Sequence, residues 1–370
     1  MPAAAHRARA RYDQGGRVMG GAHPLSGRIR ADVPAAGPLT SLLRDPSVTD
    51  LLVNGREVWV DRGAGLIRTP LAVGGVDEVR RLAQRLAAAG GRRLDEGAPF
   101  VDVRLADGSR LHAVLPPIAT AGPYLSLRTF RQRSFTLADL VAAGTLDAVG
   151  AELLAAIVAA RLAFVVSGGT GSGKTTLLTS LLGLVPPDER IVLVEDAAEL
   201  RPNHPHVVGL QARTSNVEGT GDIGLRELVR QALRMRPDRL VVGECRGAEV
   251  LDFLGALNTG HEGGAGTLHA NGAMDIPARL EALGLLGGVP RAALHAQIAA
   301  ALRVAVHLRR GPAGRVLDQV CLLAPAGPQR MVKAVPAWQR GTGAGPAARE
   351  LVDLLAARDV TAPAALGVRR

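Results

Sequence analysis

Two stretches of the chain carry different hydrophobic rhythms. Between about residues 38 and 133, short runs alternate apolar and polar positions. Leu51–Val53 and Val58–Val60 flank Asn54-Gly55, and Val101–Leu105 and Leu111–Leu115 flank Asp107-Gly108. A fifth run, Leu125–Phe130, sets Leu125 and Leu127 on one face and Ser126, Arg128 and Phe130 on the other. Period-two runs joined by such dipeptides predict antiparallel hairpins, the first with a type I′ turn. Only Val79, Leu82, Ala83 and Leu86 recur at helical spacing. The pattern predicts a small α+β domain with several outward arginines.

From about 147 to 323 the strands read differently. Phe164–Val166, Ile191–Val194, Leu240–Val242 and Ala265–Leu268 are unbroken apolar runs separated by helical patterns. Strands buried on both faces and alternating with helices predict a parallel, doubly wound α/β sheet. Residues 134–146 form a linker, with Thr136 and Asp139 in capping-box spacing. Residues 324–370 are read as a Gly-, Pro- and Ala-rich loop (Ala324 to Pro346) and a last short helix, about Ala347–Ala357. Residues 1–37 set Arg7, Arg9, Arg11, Arg17, Arg28 and Arg30 among Gly, Ala and Pro, the composition of a disordered basic tail. No internal repeat is present.

Composition narrows the class. With 47% apolar residues in 370, the chain can bury full cores, and a net charge of +10 favours acidic partners such as nucleotide phosphates, nucleic acid or an anionic membrane face. Two cysteines, Cys245 and Cys321, exclude a disulfide scaffold and any four-cysteine zinc module. The longest apolar run, Leu153 to Val166, is broken by Arg161 and too short to span a bilayer, and the N-terminus lacks the apolar core of a signal peptide. A cytoplasmic protein, peripheral to a membrane at most, is expected.

The strongest chemical signal is Gly168-Gly169-Thr170-Gly171-Ser172-Gly173-Lys174-Thr175-Thr176, which fits G-x-x-x-x-G-K-[ST] directly after a buried strand. Glycines let backbone N–H groups wrap a β-phosphate, and the following helix adds its positive end. Lys174 reaches β/γ oxygens, and the Thr175 hydroxyl can ligate Mg²⁺. Lys174 is one of two lysines in the chain, the other being Lys333, so its use here argues that arginine would not serve. ATP and Mg²⁺ are the expected ligands.

Three further segments end apolar runs with chemistry. Glu244 closes Leu240-Val241-Val242-Gly243-Glu244 and could hold the Mg²⁺ shell through water or orient water, or simply cap the next helix. Glu195 opens Glu195-Asp196-Ala197-Ala198-Glu199 and is the first candidate for polarising the attacking water, ahead of Asp196 and Glu199; Glu199 could alternatively favour a helix start and Asp196 be an ordinary cap. His269 follows Gly263-Gly264-Ala265-Gly266-Thr267-Leu268 and could sense a γ-phosphate, although a lone histidine is often structural.

Together these motifs resemble the secretion ATPases of type II and type IV secretion systems, closest to the tight-adherence (Flp) pilus-assembly and conjugal-transfer branch. Val194-Glu195-Asp196 with Glu199-Leu200 looks like the family's Asp box. Arg236-Pro237-Asp238-Arg239 with Gly243-Glu244 and Arg246-Gly247 looks like its Walker B. Asn258-Thr259-Gly260-His261 with Thr267-Leu268-His269-Ala270-Asn271 looks like its His box. Arg92-Arg93-Leu94-Asp95, Asp107-Gly108-Ser109-Arg110, Pro116-Pro117 and Leu127-Arg128 also match, so the resemblance runs from Val48 to Leu323.

The resemblance implies a hexameric ring in which an N-terminal domain hinges on a RecA-like P-loop domain, with ATP between them. Hydrolysis then drives rotation coupled to an inner-membrane platform. It also implies that Arg128, helped by Arg92, Arg104 or Arg110, reaches the nucleotide from the N-terminal domain, where arginine neutralises transition-state charge. Ala265 and Gly266 replace the usual hydroxyl residues before Thr267, Cys245 stands where an aliphatic residue is usual, and Ala197 replaces Thr or Pro. The four-cysteine element of many type II ATPases is absent.

The leading expectation is an ATP-hydrolysing motor for pilus assembly or secretion. A nucleic-acid translocase is the alternative that charge permits, but 2% aromatic residues leave few stacking platforms, and no sequence-specific nucleic acid is expected. A non-hydrolysing ATP-gated regulator is the third reading, against which Glu195 and Glu244 stand together.

Overall fold

The structure, a computed structural model, describes residues 34–129, 135–213, 221–311 and 314–367, apart from residues 46, 64 and 106. Most of the expected basic tail, and Phe130, lie outside the described residues. The chain divides into two units, Met1–Arg131 and Gln132–Arg370.

The first unit is one antiparallel sheet with helices α1 (Thr40–Arg44) and α2 (Val76–Ala89). Its strands are β1 (Asp50–Asn54), β2 (Glu57–Asp61), β3 (Leu66–Ala72), β4 (Phe100–Arg104), β5 (Arg110–Val114) and β6 (Tyr124–Arg128), in the order β3-β2-β1-β6-β5-β4. Alternation decides its faces. Leu51, Val53, Val58, Val60, Leu111, Leu125 and Leu127 are buried with Val79, Leu82 and Leu86 of α2. The first hairpin forms where expected, but its turn is not type I′. Asn54 pairs with Glu57, so Gly55 and Arg56 are the loop, and only Gly55 (φ 60°) takes positive φ. A glycine alone at the first loop position is the type II′ pattern.

The second unit opens with α3 (Leu137–Ala142), whose N-terminus is closed by Thr136 Oγ1 accepting from Asp139 N at 3.1 Å, as the capping-box spacing predicts. The helices α4 (Ala148–Ala159), α5 (Lys174–Leu182), α6 (Leu225–Leu233), α7 (Glu249–Asn258), α8 (Ile276–Leu285), α9 (Arg291–Ala301) and α10 (Ala348–Ala356) surround a nine-stranded sheet. Its strands are β7 (Phe164–Gly168), β8 (Ile191–Glu195), β9 (Val207–Gln211), β10 (Arg239–Val242), β11 (Ala265–Leu268), β12 (Val304–Gly311), β13 (Gly314–Ala326), β14 (Met331–Gln339) and β15 (Gly343–Ala344). The order is β15-β14-β13-β12-β7-β11-β10-β8-β9, parallel from β12 to β9 and antiparallel beyond β12. Successive residues of each parallel strand serve opposite cores. Phe164, Val166, Ile191 and Leu193 pack with α4, α5 and α10, whereas Val165, Val192, Val194 and Leu240 pack with α6, α7, α8 and α9. Each such fully buried side chain contributes about 1.5–3 kcal/mol, which explains the unbroken apolar runs.

The segment Ala324–Pro346, expected as a loop, is instead mostly strand: the end of β13, then β14 and β15. Val332, Ala334, Ala337 and Trp338 bury there despite the Gly and Pro content. Pro336 is accommodated where the β13–β14 register shifts, between Val320 and Cys321. The short last helix is present as α10. No helix among the described residues is long and apolar enough to cross a membrane.

The end of the sheet opposite the P-loop is tied by charge. Arg239, 1% exposed at the start of β10, donates from Nε to Glu189 Oε2 (2.6 Å) and from its terminal nitrogens to the carbonyls of Val158 and Gly263 (3.3 Å each). Arg161 closes on the same glutamate at 2.8 Å. Arg236-Pro237-Asp238-Arg239 thus anchors the strand whose far end carries Glu244.

Candidate active site

The loop after β7 adopts a form that only its glycines permit. Gly168, Gly171 and Gly173 have φ of 150°, 70° and 96°. A Cβ on Gly168 would collide with Leu308 O and lie 2.5 Å from Ser172 Oγ. Gly173 precedes α5 with no side chain to cap it, so the first-turn N–H groups are left for an anion. Ser172 is 1% exposed, with a hydroxyl that has no hydrogen-bond partner among the described residues. Thr170 and Gly169 are exposed at the tip, and Thr175 and Thr176 stand in the first helical turn, half-buried.

Lys174 folds back over its own loop. Its Nζ donates to the carbonyls of Gly168 and Gly169, both at 3.1 Å, and lies 3.5 Å from each ring nitrogen of His269. Burial lowers its pKa below the usual lysine value. His269, at the end of β11, has Nε2 2.9 Å from Glu244 Oε1, within ion-pair reach, yet no hydrogen bond closes on that oxygen. Burial, reinforced by Lys174, lowers the His269 pKa, so the ring is neutral near pH 7. Burial alone would raise Glu244, but the hydrogen bond from Arg246 (2.7 Å) and the charges of Arg246 and Lys174 outweigh it and hold the carboxyl below its usual value. Glu244 does not cap the next helix. Glu249, the first residue of α7, folds back over the loop before it, its Oε1 accepting from Arg246 N and Gly247 N at 2.5 and 2.7 Å, and no side chain caps the helix.

Glu195 and Glu199 occupy different settings at the end of β8. Glu195, 3% exposed at the end of β8, accepts on Oε1 from Glu199 N and Leu200 N, both at 2.9 Å. Burial raises its pKa. It therefore braces the turn after β8. That turn presents the exposed Glu199, whose Oε2 lies 3.5 Å from Thr175 Oγ1, and no helix starts there. Asp196 is exposed, 4.0 Å from Arg246. Gly266, one of the two departures in the strand before His269, lies close against the neighbouring strand β10. A Cβ on Gly266 would sit 3.2 Å from Val242 O, and Thr267 Oγ1 donates to Gly243 O at 2.5 Å, tying β11 to the loop that carries Glu244. Cys245 is buried, and its thiol is pushed far up by desolvation. His261 contacts the Ala256 carbonyl at the end of α7 (3.1 Å) rather than joining the cluster.

The residues fit a hard cation shared with a ligand. Glu244 Oε1 is open to another partner, and the Thr175 hydroxyl stands at the helix start between Lys174 and Glu199. Among the described residues no group of three or more His, Cys, Asp or Glu could hold an ion alone. Mg²⁺, which keeps waters and takes phosphate oxygens, suits that sparse donor set.

In the first unit, strand register aligns three arginines on the face opposite its core. Arg104 pairs with Arg110, Arg110 with Arg128, and Arg128 with Asp50. Arg110 binds Asp102 (Nε to Oδ1, 2.8 Å), which lowers that carboxyl's pKa, and Arg128 Nε donates to Asp50 Oδ1 at 3.2 Å. Like charges directly opposite one another destabilise a sheet unless an anion lies between them. Arg92, in the segment after α2, is not in this row.

Sequence reasoning passed over two arginines beside the P-loop. Arg315, in β13, donates from Nε to Gly171 O at 2.7 Å. Arg310, in β12, has Nη1 3.2 Å from where a Cβ on Gly171 would lie. Their flanks, Gly311 and Gly314 at a strand turn, carried no phosphate-binding signature.

Comparison with known proteins places the chain. The profile of the family described as type II/IV secretion system protein matches residues 33–332. A Mycobacterium tuberculosis (H37Rv) protein, provisionally named for conjugal transfer, is 55% identical over 338 residues, 89% of this chain and 96% of its own. The conjugal transfer protein TrbB of Rhizobium radiobacter is 33% identical over 248 residues, covering 65% of this chain and 73% of that one. The pilus retraction motor PilT, solved with bound ADP, matches 78% of this chain and 83% of its own with a TM-score of 0.55 and 22% identity. The Legionella pneumophila ATPase DotB matches 78% and 80%, with a TM-score of 0.53 and 21% identity. At those identities the two structures bear on fold alone, a RecA-like domain preceded by a smaller domain. The chain belongs to the type II/IV secretion system protein family.

Proposed function

We propose that this chain is a Mg²⁺-dependent ATPase motor that powers conjugal transfer, secretion or assembly of a tight-adherence (Flp) type pilus at the cell envelope. One observation carries the reading: Lys174 Nζ, at the centre of a glycine-built phosphate loop, lies beside His269, which itself meets Glu244. A phosphate cradle with a carboxylate and a neutral imidazole at one end is equipped for hydrolysis and not for binding alone.

The loop N–H groups and Lys174 hold the β- and γ-phosphates. Thr175 and, through water, Glu244 would hold Mg²⁺, which supplies charge neutralisation on the phosphate oxygens. Water attacks the γ-phosphorus, the bond to the β–γ bridging oxygen breaks, and ADP leaves with that oxygen. Glu199 takes the water's proton, Glu195 fixes the turn that presents Glu199, and His269 reports the γ-phosphate to Glu244. Arg128 acts from the first unit on the developing charge. The chain works as a homo-hexamer on the cytoplasmic face of the membrane, against inner-membrane platform proteins, and nucleotide-driven rotation of the first unit on the second delivers the stroke.

The test is phosphate release by purified protein over a hundredfold range of protein concentration, with Glu244→Gln as control. Specific activity that climbs with concentration and vanishes in the variant is expected. Turnover that persists in Glu244→Gln would overturn the reading.

A further inference from the structure

We infer that Arg310, with Arg315 beside it, forms a second anion-binding wall of the nucleotide site and receives the α-phosphate end of the bound nucleotide. The inference rests on the P-loop reading above and extends it to a part of the ligand that no motif addresses.

Topology supplies the direction. β7 lies between β11 and β12 in the sheet. His269, Glu244 and Glu199 follow β11, β10 and β8, all on one side of β7. These groups mark where the γ-phosphate must lie, because they are the acids and the imidazole that hydrolysis needs. A phosphate chain whose β-phosphate is cradled at the end of β7 therefore runs from that side toward β12. The hairpin of β12 and β13 is what it meets there.

The hairpin is built to receive it. Leu308 pairs with Gly168, the last residue of β7, so Arg309, Arg310 and Gly311 continue past the end of β7 alongside the P-loop. Arg310 and Arg315 are direct cross-strand partners. Arg315 binds the Gly171 carbonyl, and its Cδ lies 3.3 Å from where a Cβ on Gly173 would be. Arg310 lies against Gly171, is exposed, and makes no hydrogen bond or ion pair among the described residues. The nearby Asp318 is engaged by Arg309 at 3.1 Å. Two guanidinium groups face each other across a ladder beside Gly171 of the P-loop, with the site's carboxylates on the other side of β7. Such a like-charge pair is unfavourable alone and becomes favourable with a phosphate between them. Any side chain on Gly171 or Gly173 would also crowd the arginines, a further constraint on these two positions besides their positive φ.

ADP and a non-hydrolysable ATP analogue, titrated calorimetrically into the full chain, test the assignment. Arg310→Ala should weaken both ligands by the same factor, at least tenfold, and Arg310→Glu by at least a hundredfold, while Arg310→Lys recovers most of the loss. No variant should melt below the parent, since Arg310 is exposed and losing its charge relieves the like-charge pair with Arg315. Unchanged affinity in Arg310→Ala and Arg310→Glu, or a loss confined to the ATP analogue, would overturn the assignment. Lys174→Ala in the same titrations separates the two levels. Affinity lost there but kept in both arginine variants rejects the arginine wall alone, whereas affinity kept in Lys174→Ala rejects the P-loop reading and the wall with it.

Discussion

Glu195→Gln and Glu199→Gln should have opposite consequences for stability and turnover. Glu195 is nearly sealed from solvent, and a single oxygen accepts both backbone N–H groups, each at 2.9 Å. Glutamine can place its carbonyl there and keep both bonds, losing only the charge-assisted increment of about 1 kcal/mol per bond, about 2 kcal/mol together. Burial offsets part of that. A carboxyl whose pKa is raised in the folded state is most favourable when protonated, and its contribution is lost as pH rises through the folded pKa. The amide carries no such penalty at neutral pH. Stability should therefore fall by less than about 2 kcal/mol, and turnover by less than about tenfold, or 1.4 kcal/mol.

Glu199 is exposed and its carboxylate meets the Thr175 hydroxyl, so glutamine there should shift stability by no more than about 0.5 kcal/mol. On the mechanism proposed above, replacing Glu199 as proton acceptor should nevertheless slow turnover about 10²–10⁴-fold. Phosphate release at saturating MgATP, with denaturant unfolding of each variant, reads both quantities. A Glu195→Gln protein that folds normally but loses more than a hundredfold in turnover, beside a near-normal Glu199→Gln, would refute the proposal that Glu199 is the proton acceptor.

Three other outcomes are expected. Arg128→Ala should leave ADP binding intact and slow hydrolysis at least tenfold, about 1.4 kcal/mol; unchanged turnover would remove Arg128 from the site. Because the folded His269 pKa is lowered, its contribution to stability is complete above the ordinary histidine pKa and drains away as pH falls through that value toward the folded one. The parent should consequently lose more melting temperature between about pH 7.5 and 5.5 than His269→Gln does, and equal losses would contradict the neutral ring. Gly263→Ala drives a Cβ into Arg239 Nη1 at a φ of 74°, where the ion pair with Glu189 prevents retreat. It should cost at least about 2 kcal/mol in denaturant unfolding, and a smaller loss would show the arginine anchor to be pliable.

The features legible in the chain are those fixed by neighbours in sequence. The P-loop glycines, the capping pair Thr136 and Asp139, and runs such as Ile191–Val194 each state their structure locally. The β13–β14 region does not, because Pro325, Pro336 and several glycines argue for a loop, and only pairing with β12 and burial of Trp338 and Val332 make strands of it. The first hairpin shows the same limit on a smaller scale: Asn54-Gly55 marks the turn, but cross-strand pairing of Asn54 decides which two residues turn. At the site, spacing identified the acidic cluster after β8. Which glutamate faces Thr175 depends on the backbone N–H groups of Glu199 and Leu200 folding back onto Glu195. The arginines at 310 and 315 were invisible because their importance comes from a sheet order that brings residues about 140 positions downstream to the edge of the P-loop.

The position of β7 inside the sheet has a mechanical consequence. Its ladder is parallel to β11 on one side and β12 on the other, its five residues are buried, and α5 leaves directly from the loop it carries. Amides on this strand should be among the last to exchange with deuterated solvent, opening only when the whole unit unfolds. A motor of the kind proposed, converting bond cleavage into displacement, would need one stiff part to push against and one soft part to yield. The strand behind Lys174 is the stiff part, and compliance is left to the loops that follow β8, β10 and β11, which carry Glu199, Glu244 and His269.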